Sequence, residues 1–248
     1  MIGVLHPGAM GAAVAACLAA AGHEVLWASE GRSRETAARA AGLRDAGSIA
    51  ALAGECELLL SICPPHAAVD VARSVAGSGG VYVDANAISP QTAREIAGII
   101  GPGYVDGGII GPPPVRAGTT RLYLSGARAG EVAAAFAGTP LEARVIDGAV
   151  GASALKMTYA AWTKGSAALL LAIEATAASL GVAPPLHEEW ELSQPDAAGR
   201  LEAALAAADA KAWRWVAEMR EIAATFAAAG QPDGFHRAAA ELYEAWNP

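Results

Sequence analysis

Short apolar runs recur through the first half of the chain, each closed by glycine, proline or a polar residue. The runs IGVL (2–5), EVLWA (24–28), ELLLSI (57–62), GVYVDA (80–85), GYVDGGII (103–110), TRLYLS (120–125) and ARVI (143–146) read as strands. Alanine-rich stretches near 9–21, 33–41, 66–76, 89–100 and 128–136 lie between them and read as helices. Ser33 precedes one helix with Glu35 in its first turn, and Pro65 and Pro90 stand where a first-turn proline is tolerated. Strands alternating with helices predict a parallel sheet covered on both faces. The pattern changes after Asp147. From Gly148 to about Leu180 there is no proline and little but helix formers, which predicts a rod of roughly 45–50 Å at about 1.5 Å per residue. Gly181-Val182-Ala183-Pro184-Pro185 closes it, and helical segments near 186–193, 196–208, 210–229 and 233–246 follow. No internal repeat is present.

Composition narrows the class. With 248 residues, 54% of them hydrophobic, the chain can bury one large or two smaller cores. A net charge of −8 with no basic run argues against a nucleic-acid partner. The three cysteines, Cys17, Cys56 and Cys63, are odd in number, lack metal spacing and sit in apolar runs. They are expected to be reduced, buried thiols of a cytoplasmic protein. Neither a signal peptide nor a membrane span is expected, and no metal site is. His187 with Glu188 and Glu189 reads as a solvated charged run rather than a metal site. Arginine replaces most lysine, so any lysine chemistry has three candidates: Lys156, Lys164 and Lys211.

The most informative stretch is the first strand together with the turn and helix after it. A glycine-rich turn between a strand and a helix offers backbone N–H groups to a pyrophosphate, and the helix N-terminus adds partial positive charge. In the turn His6-Pro7-Gly8-Ala9-Met10-Gly11, Gly8 and Gly11 take the second and third glycine positions of G-x-G-x-x-G. Gly8 allows close approach of phosphate, and Gly11 allows the helix to pack on the sheet. His6 stands where the first glycine permits a tight turn. It can serve there if its backbone angles are ordinary, with Pro7 available to fix the turn. This predicts a Rossmann-like doubly wound sheet over 1–147, and over 148–248 a long interdomain helix with an all-α substrate and dimerisation domain. At the end of the second strand, Ser29, Arg32 and Ser33 are suited to a 2′-phosphate, whereas Glu30 argues for a ribose diol. The balance favours NADP, with NAD possible.

The succession HPGAMG, LLLSICPP, VDANAISP, VDGGIIGPPP and GAVGASALKMTYA resembles the β-hydroxyacid dehydrogenases, which include 6-phosphogluconate dehydrogenase. The likeness runs along essentially the whole chain. It is strongest to a branch carrying a C-terminal helical domain of unknown function. The resemblance implies a Rossmann domain, a long interdomain helix, an α-helical domain and a homodimer that completes each active site. It implies that Met10 lies near the nicotinamide and that Cys63 and Pro64 form the loop after the fourth strand bordering the cofactor. Asn86 and Ala87 match the pair beside the nicotinamide ribose. Asp106, Gly107, Gly108, Ile110 and Gly111 fall in the substrate loop, and Lys156 matches the catalytic lysine. The chain departs from the family where substrate is held: Ile110 replaces a serine, Pro112-Pro113-Pro114 follows, and Tyr159 stands for an asparagine. A simple 3-hydroxy acid is therefore not the expected substrate.

On helical spacing Ser153, Lys156, Tyr159, Thr163 and Ser166 form a polar stripe, with Leu155, Trp162, Leu169 and Ile173 expected on a core-like side. The stripe faces either solvent or a cleft. In a partly dry cleft a lysine exchanges protons near neutral pH and stabilises negative charge developing on a carbonyl oxygen. On a surface it merely snorkels. Tyr159 is the alternative proton donor, and Lys164 is expected to be structural. His66 reads as a helix start, Asp84 as a loop brace, and His236 as a weak candidate to reach a neighbouring active site. Trp213, Val216, Met219 or Arg220, and Ala223 read as core or dimer packing. The expected activity is hydride transfer between a nicotinamide and a carbonyl or alcohol of a small-molecule substrate, with Lys156 handling the proton. Imine reduction is the rival within the class, and a non-catalytic NADP-binding sensor or scaffold the rival outside it.

Overall fold

A computed structural model describes residues 1–246. Its elements are β1 (Ile2–Val4), α1 (Ala9–Ala20), β2 (Val25–Trp27), α2 (Arg34–Arg39), β3 (Arg44–Asp45), α3 (Ile49–Glu55), β4 (Leu58–Ser61), α4 (Ala68–Ser74), β5 (Val81–Asp84), α5 (Pro90–Ile100), β6 (Tyr104–Ile110), β7 (Thr120–Ser125), α6 (Ala129–Ala134), β8 (Leu141–Val145), α7 (Gly151–Ser179), α8 (Ala183–Ser193), α9 (Ala197–Ala228) and α10 (Gly234–Glu244). The chain forms two compact units, Met1–Lys156 and Met157 onward.

In the first unit all eight described strands join one sheet in the order β3-β2-β1-β4-β5-β6-β7-β8. Alternation along each strand sends side chains to opposite faces. Leu58, Leu60, Val81 and Val83 therefore pack with Val14 and Leu18 of α1, while Leu59 and Tyr82 pack on the other face with Leu52 and Ile96. Ser33, Ser48 and Ser89 cap α2, α3 and α5 through their hydroxyls, each contributing about 1 kcal/mol. Pro90 opens α5, and Gly101 ends it at φ 78°.

The sheet differs from a fully parallel one at one place. β6 and β7 pair antiparallel, and β7 then pairs parallel with β8. The reason lies in the connection, Gly111 to Thr119, which is too short to carry a crossover helix and can return the chain only beside itself. Two elements escape the hydrophobic pattern. β3 is two exposed residues at the sheet edge, too short for alternation to register. α3 is signalled mainly by the Ser48 cap.

The second unit is helical. α9 runs unbroken through 209, where two helices were expected, because Ala208-Asp209-Ala210 holds no breaker. Along α7 within this unit the buried positions are Met157, Ala160, Ala161, Ala168, Leu171 and Ala177. The expected core-like side is therefore wrong: Trp162 and Leu169 are 68% and 62% exposed. Small alanines supply most of the buried face, together with Met157 and Leu171, while Trp162 and Leu169 point away from it. Trp213 is likewise exposed, while Met219 and Ala223 of the same predicted face are buried. Lys164 is structural: its Nζ lies 2.8 Å from Glu218 Oε1 within the helix packing, and Tyr243 Oη donates to the Lys164 carbonyl at 2.7 Å. His236 is buried, stacking edge-on against Phe226 and sitting against Gly165, and its burial lowers the imidazole pKa. His187 pairs with Glu174 at 2.7 Å and stacks on Trp190. Among the described residues no helix is long and apolar enough to cross a membrane. No group of three or more His, Cys, Asp or Glu is gathered there as a metal cage.

Candidate cofactor and active site

The parallel strands β1, β4, β5 and β6 all end at one edge of the sheet, and the order reverses between β1 and β4. In open α/β sheets ligands bind in the crevice beyond such a reversal. The residues singled out in the first unit gather there.

After β1 the chain turns with Gly8 N–H donating to the His6 carbonyl at 2.9 Å. No described residue other than glycine has positive φ, so His6 holds the turn with ordinary backbone angles. The two glycines do different work. A Cβ on Gly11 would stand 2.2 Å from the His6 carbonyl oxygen, so this position admits no side chain. A Cβ on Gly8 would meet nothing within 4 Å. Gly8 faces open space at the N-terminus of α1, which has no side-chain cap and no acid in its first turn. First-turn N–H groups without an intrahelical partner and a positive helix end are what a pyrophosphate requires. Ala9 is exposed, and Met10 is half-buried against the core.

Arg32, in the loop after β2, is electrostatically coupled to this turn. Its charge bears on both His6 and Cys63. Its Nε is buried without a hydrogen-bond partner among the described residues, and desolvation lowers its pKa. Burial, then the Arg32 charge, push His6 down to about 4, so the imidazole is neutral at pH 7. A guanidinium with an unpartnered Nε, whose charge is felt at the turn before an uncapped helix N-terminus, fits an anionic cofactor. Ser29 and Ser33 are otherwise engaged. Ser33 caps α2. The Ser29 N–H donates to Asp45 Oδ1 at 3.1 Å, and Gly47 N–H donates to the same oxygen at 2.7 Å. Asp45, held below the usual carboxylate range first by the Ser29 hydroxyl, went unnoticed in the sequence. The Asp-x-Gly turn of residues 45–47 was the available signal.

After β4 and β5 the two loops are locked together. Asn86, buried, accepts from Cys63 N–H, donates from Nδ2 to Ser61 Oγ at 3.0 Å, and donates its own N–H to Asp84 Oδ1 at 3.0 Å. This fixes the loop Cys63-Pro64 over the edge. Burial pushes the Cys63 thiol up to about 12, so it is no nucleophile at neutral pH. Ala87 is half-buried beside Asn86, and His66 is exposed in the turn after Pro65.

β6 brings the run from Asp106 to Ile110 to the same edge, with every residue buried. A Cβ on Gly107 would stand 2.8 Å from the Asp84 carbonyl, and one on Gly108 2.8 Å from the Ala152 carbonyl and 3.0 Å from Lys156 Cβ. Gly108 thus lets the first turn of α7 lie directly on the strand. Ile110 is buried in its pairing with Arg121, and Gly111 turns at φ 126° against Thr119 and Thr120. Lys156 is half-buried, its Nζ donating to the Ile109 carbonyl at 2.8 Å. Tyr159, one turn on along α7, belongs to the second unit and is exposed.

A strand-turn-helix with these glycines, at the reversal point of this sheet, defines a dinucleotide-binding domain. Residues 1–133 match the model described as the NAD binding domain of 6-phosphogluconate dehydrogenase, and residues 177–246 match a domain of unknown function (DUF1932). The chain belongs to the family whose nicotinamide-binding domain is that of 6-phosphogluconate dehydrogenase. A relative from Methanothermus fervidus, an uncharacterized 28.5 kDa protein in a 7S RNA 5′ region, is 33% identical over 175 residues, 68% of this chain and 67% of that protein. A solved structure of a conserved protein of unknown function, described as structurally similar to 3-hydroxyacid dehydrogenases, is 29% identical with a TM-score of 0.70, covering 98% of this chain and 97% of the other. A reductive aminase from Aspergillus terreus, solved with NADPH4, cyclohexanone and allyl amine, shares the fold at 19% identity and a TM-score of 0.60, covering 98% of this chain and 92% of the other.

Proposed function

We propose that the protein is an NADP(H)-dependent oxidoreductase that interconverts a carbonyl and an alcohol, with Lys156 handling the proton. One observation carries the reading. Lys156 donates at 2.8 Å to the Ile109 carbonyl near the end of β6, on the sheet edge that also bears the glycine turn and the Cys63 and Asn86 loops. A reduced nicotinamide, when bound, supplies hydride to the carbonyl carbon. The chain's own part is the proton. The Lys156 ammonium transfers an N–H proton to the oxygen as negative charge develops there and is left as an amine, which solvent reprotonates; in oxidation the amine accepts the alcohol proton. The turn from His6 to Gly11 would hold the pyrophosphate, Arg32 a phosphate of the adenosine half, and the Cys63-Pro64 loop braced by Asn86 the nicotinamide side.

Arg32 carries the preference for NADP against the nearby carboxylates Asp45 and Glu30. Arg32→Ala is expected to weaken NADPH binding ten- to a hundredfold, as loss of a charged hydrogen bond of about 1.5–3 kcal/mol implies, and to leave NADH binding nearly unchanged. Fluorescence titration of both cofactors measures this; equal losses, or none, would contradict it.

A carbon–nitrogen double bond is the second reading of the acceptor. It is favoured by Ile110, which offers no hydroxyl where the family has serine. Turnover of NADPH against a panel of 3-oxo acids, ketones and cyclic imines separates the two. No turnover across the panel, with NADPH still bound, would point to a sensor or scaffold instead.

The second unit supports a homodimer. Trp213 and Phe235 are 72% and 78% exposed, and Trp162 and Leu169 line apolar clefts, large apolar side chains that a second copy would cover. Light scattering is expected to give twice the 24.9 kDa chain mass; a monomer at micromolar concentration would contradict it. The unpaired thiols Cys17, Cys56 and Cys63 fit a reducing compartment.

A further inference from the structure

We infer that Asp106 is the positioning residue for Lys156 rather than a group that binds substrate, an inference that rests on the proton-handling role of Lys156. Asp106 has no solvent exposure. Both its oxygens are spent on the start of α7 and on β7. Oδ2 accepts from the Ser153 N–H at 2.9 Å and from Ser125 Oγ at 2.9 Å, and Oδ1 accepts from Ser153 Oγ. Ser125 Oγ in turn accepts from the Ala152 N–H at 3.1 Å. Two first-turn N–H groups of α7, which have no partner within the helix, thus end directly or through one hydroxyl on a single carboxylate. Its negative charge lies at the positive end of a helix of 29 residues.

The consequence for Lys156 is geometric. Ser153 and Lys156 are three residues apart on α7 and so share a face. Asp106 and Ile109 are three residues apart on β6. The helix is therefore pinned to the strand twice, by Ser153 on Asp106 and by Lys156 Nζ on the Ile109 carbonyl at 2.8 Å. Between the two pins Gly108 leaves no room for a side chain. The glycine sets how close the helix comes, and the carboxylate sets its register and rotation. Loss of the carboxylate frees the first turn to rotate, and Lys156 loses the fixed origin of its side chain. Placement errors of about 1 Å cost catalysis on the order of a hundredfold.

The same row of register positions runs on into the strands that bear the cofactor loops. Ser61, Asp84, Asp106 and Ser125 are register partners across β4, β5, β6 and β7. Asn86 bridges Ser61 and Asp84 to Cys63 N–H. Two hydrogen-bonded groups thus share one row: Ser61, Asp84 and Asn86 hold the loop over the cofactor edge, and Asp106 and Ser125 hold the helix that carries the lysine.

The test is a double-mutant cycle with Asp106→Asn and Lys156→Ala, assayed on the best-turned-over member of the carbonyl and imine panel, beside NADPH titration. Asp106→Asn is expected to lower kcat at least tenfold, with KM for NADPH and its Kd within twofold, and to have no further effect in the Lys156→Ala background. An equal kcat loss in both backgrounds, or a parallel loss of NADPH affinity, would overturn the inference. If Lys156→Ala alone is fully active, it is the function reading that fails. A readout free of substrate comes from the three lysines, which give three resolvable signals after ¹³C reductive methylation. The Lys156 signal is expected to move in Asp106→Asn while that of Lys164, paired with Glu218, stays; an unmoved Lys156 signal would overturn the inference. Ser153→Ala, which removes one of the hydroxyl contacts and keeps the N–H, serves if Asp106→Asn does not fold, and is expected to move the same signal by a smaller amount. An unmoved signal there would overturn it equally.

Discussion

Lys156→Ala is expected to lose turnover by a factor of about 10² to 10⁴, the range over which a positioned proton donor contributes, while binding NADPH within twofold of the unaltered protein. The split follows from where the side chain sits. Lys156 donates to the Ile109 carbonyl on β6, whereas the groups suited to phosphate, Gly8 and Arg32, lie on other elements. Stability should change little, because the side chain is half-buried and the replacement keeps helix propensity. Steady-state kinetics with fluorescence titration reads both halves. Unchanged turnover would remove Lys156 from the chemistry.

Gly8→Leu and Gly11→Ala form the second expectation, and they should fail in opposite ways. The Gly8 side chain would enter open space, 4 Å or more from any neighbouring atom at its Cβ. That variant should fold with its melting temperature within about 2 °C of the original and bind no cofactor, because the new side chain fills the place a pyrophosphate needs. At Gly11 even a methyl group would stand 2.2 Å from the His6 carbonyl. The helix must shift off the strand, at a cost of about 1–3 kcal/mol. Thermal unfolding with NADPH titration distinguishes them. A Gly8→Leu protein that binds normally would show that the turn does not face the cofactor.

The sequence exposed the alternation of strands and helices because β1, β2, β4, β5 and β6 are wholly buried runs bounded by clear turn residues. β3 and α3 stayed hidden. A two-residue edge strand carries no period, and an alanine helix carries little amphipathic contrast. The glycine turn was legible since Gly8 and Gly11 keep their spacing. Their difference in function was not, because it depends on where the His6 carbonyl points.

The reading of VDGGIIGPPP was the least complete. As a string it offers an acid and two glycines to a ligand. In the fold Asp106 is spent on α7, and Gly107 and Gly108 are required by backbone contacts across the sheet and to the helix. Such roles follow from long-range pairing, which spacing along the chain does not reveal. The second unit failed for a related reason. In helices this rich in alanine the small residues supply much of the packed face, and size does not mark it, so Trp162 and Leu169 read as core although they lie outside.

A crystal structure with NADP⁺ bound tests the central claim most directly. The Lys156 amine is expected on the reactive side of the nicotinamide, roughly 5–6 Å from C4. That span remains when the reacting atoms stand about 3 Å apart and a proton donor lies about 3 Å from the oxygen. An amine directed into bulk water, with the ring's C4 facing another proton donor or none, would contradict the account.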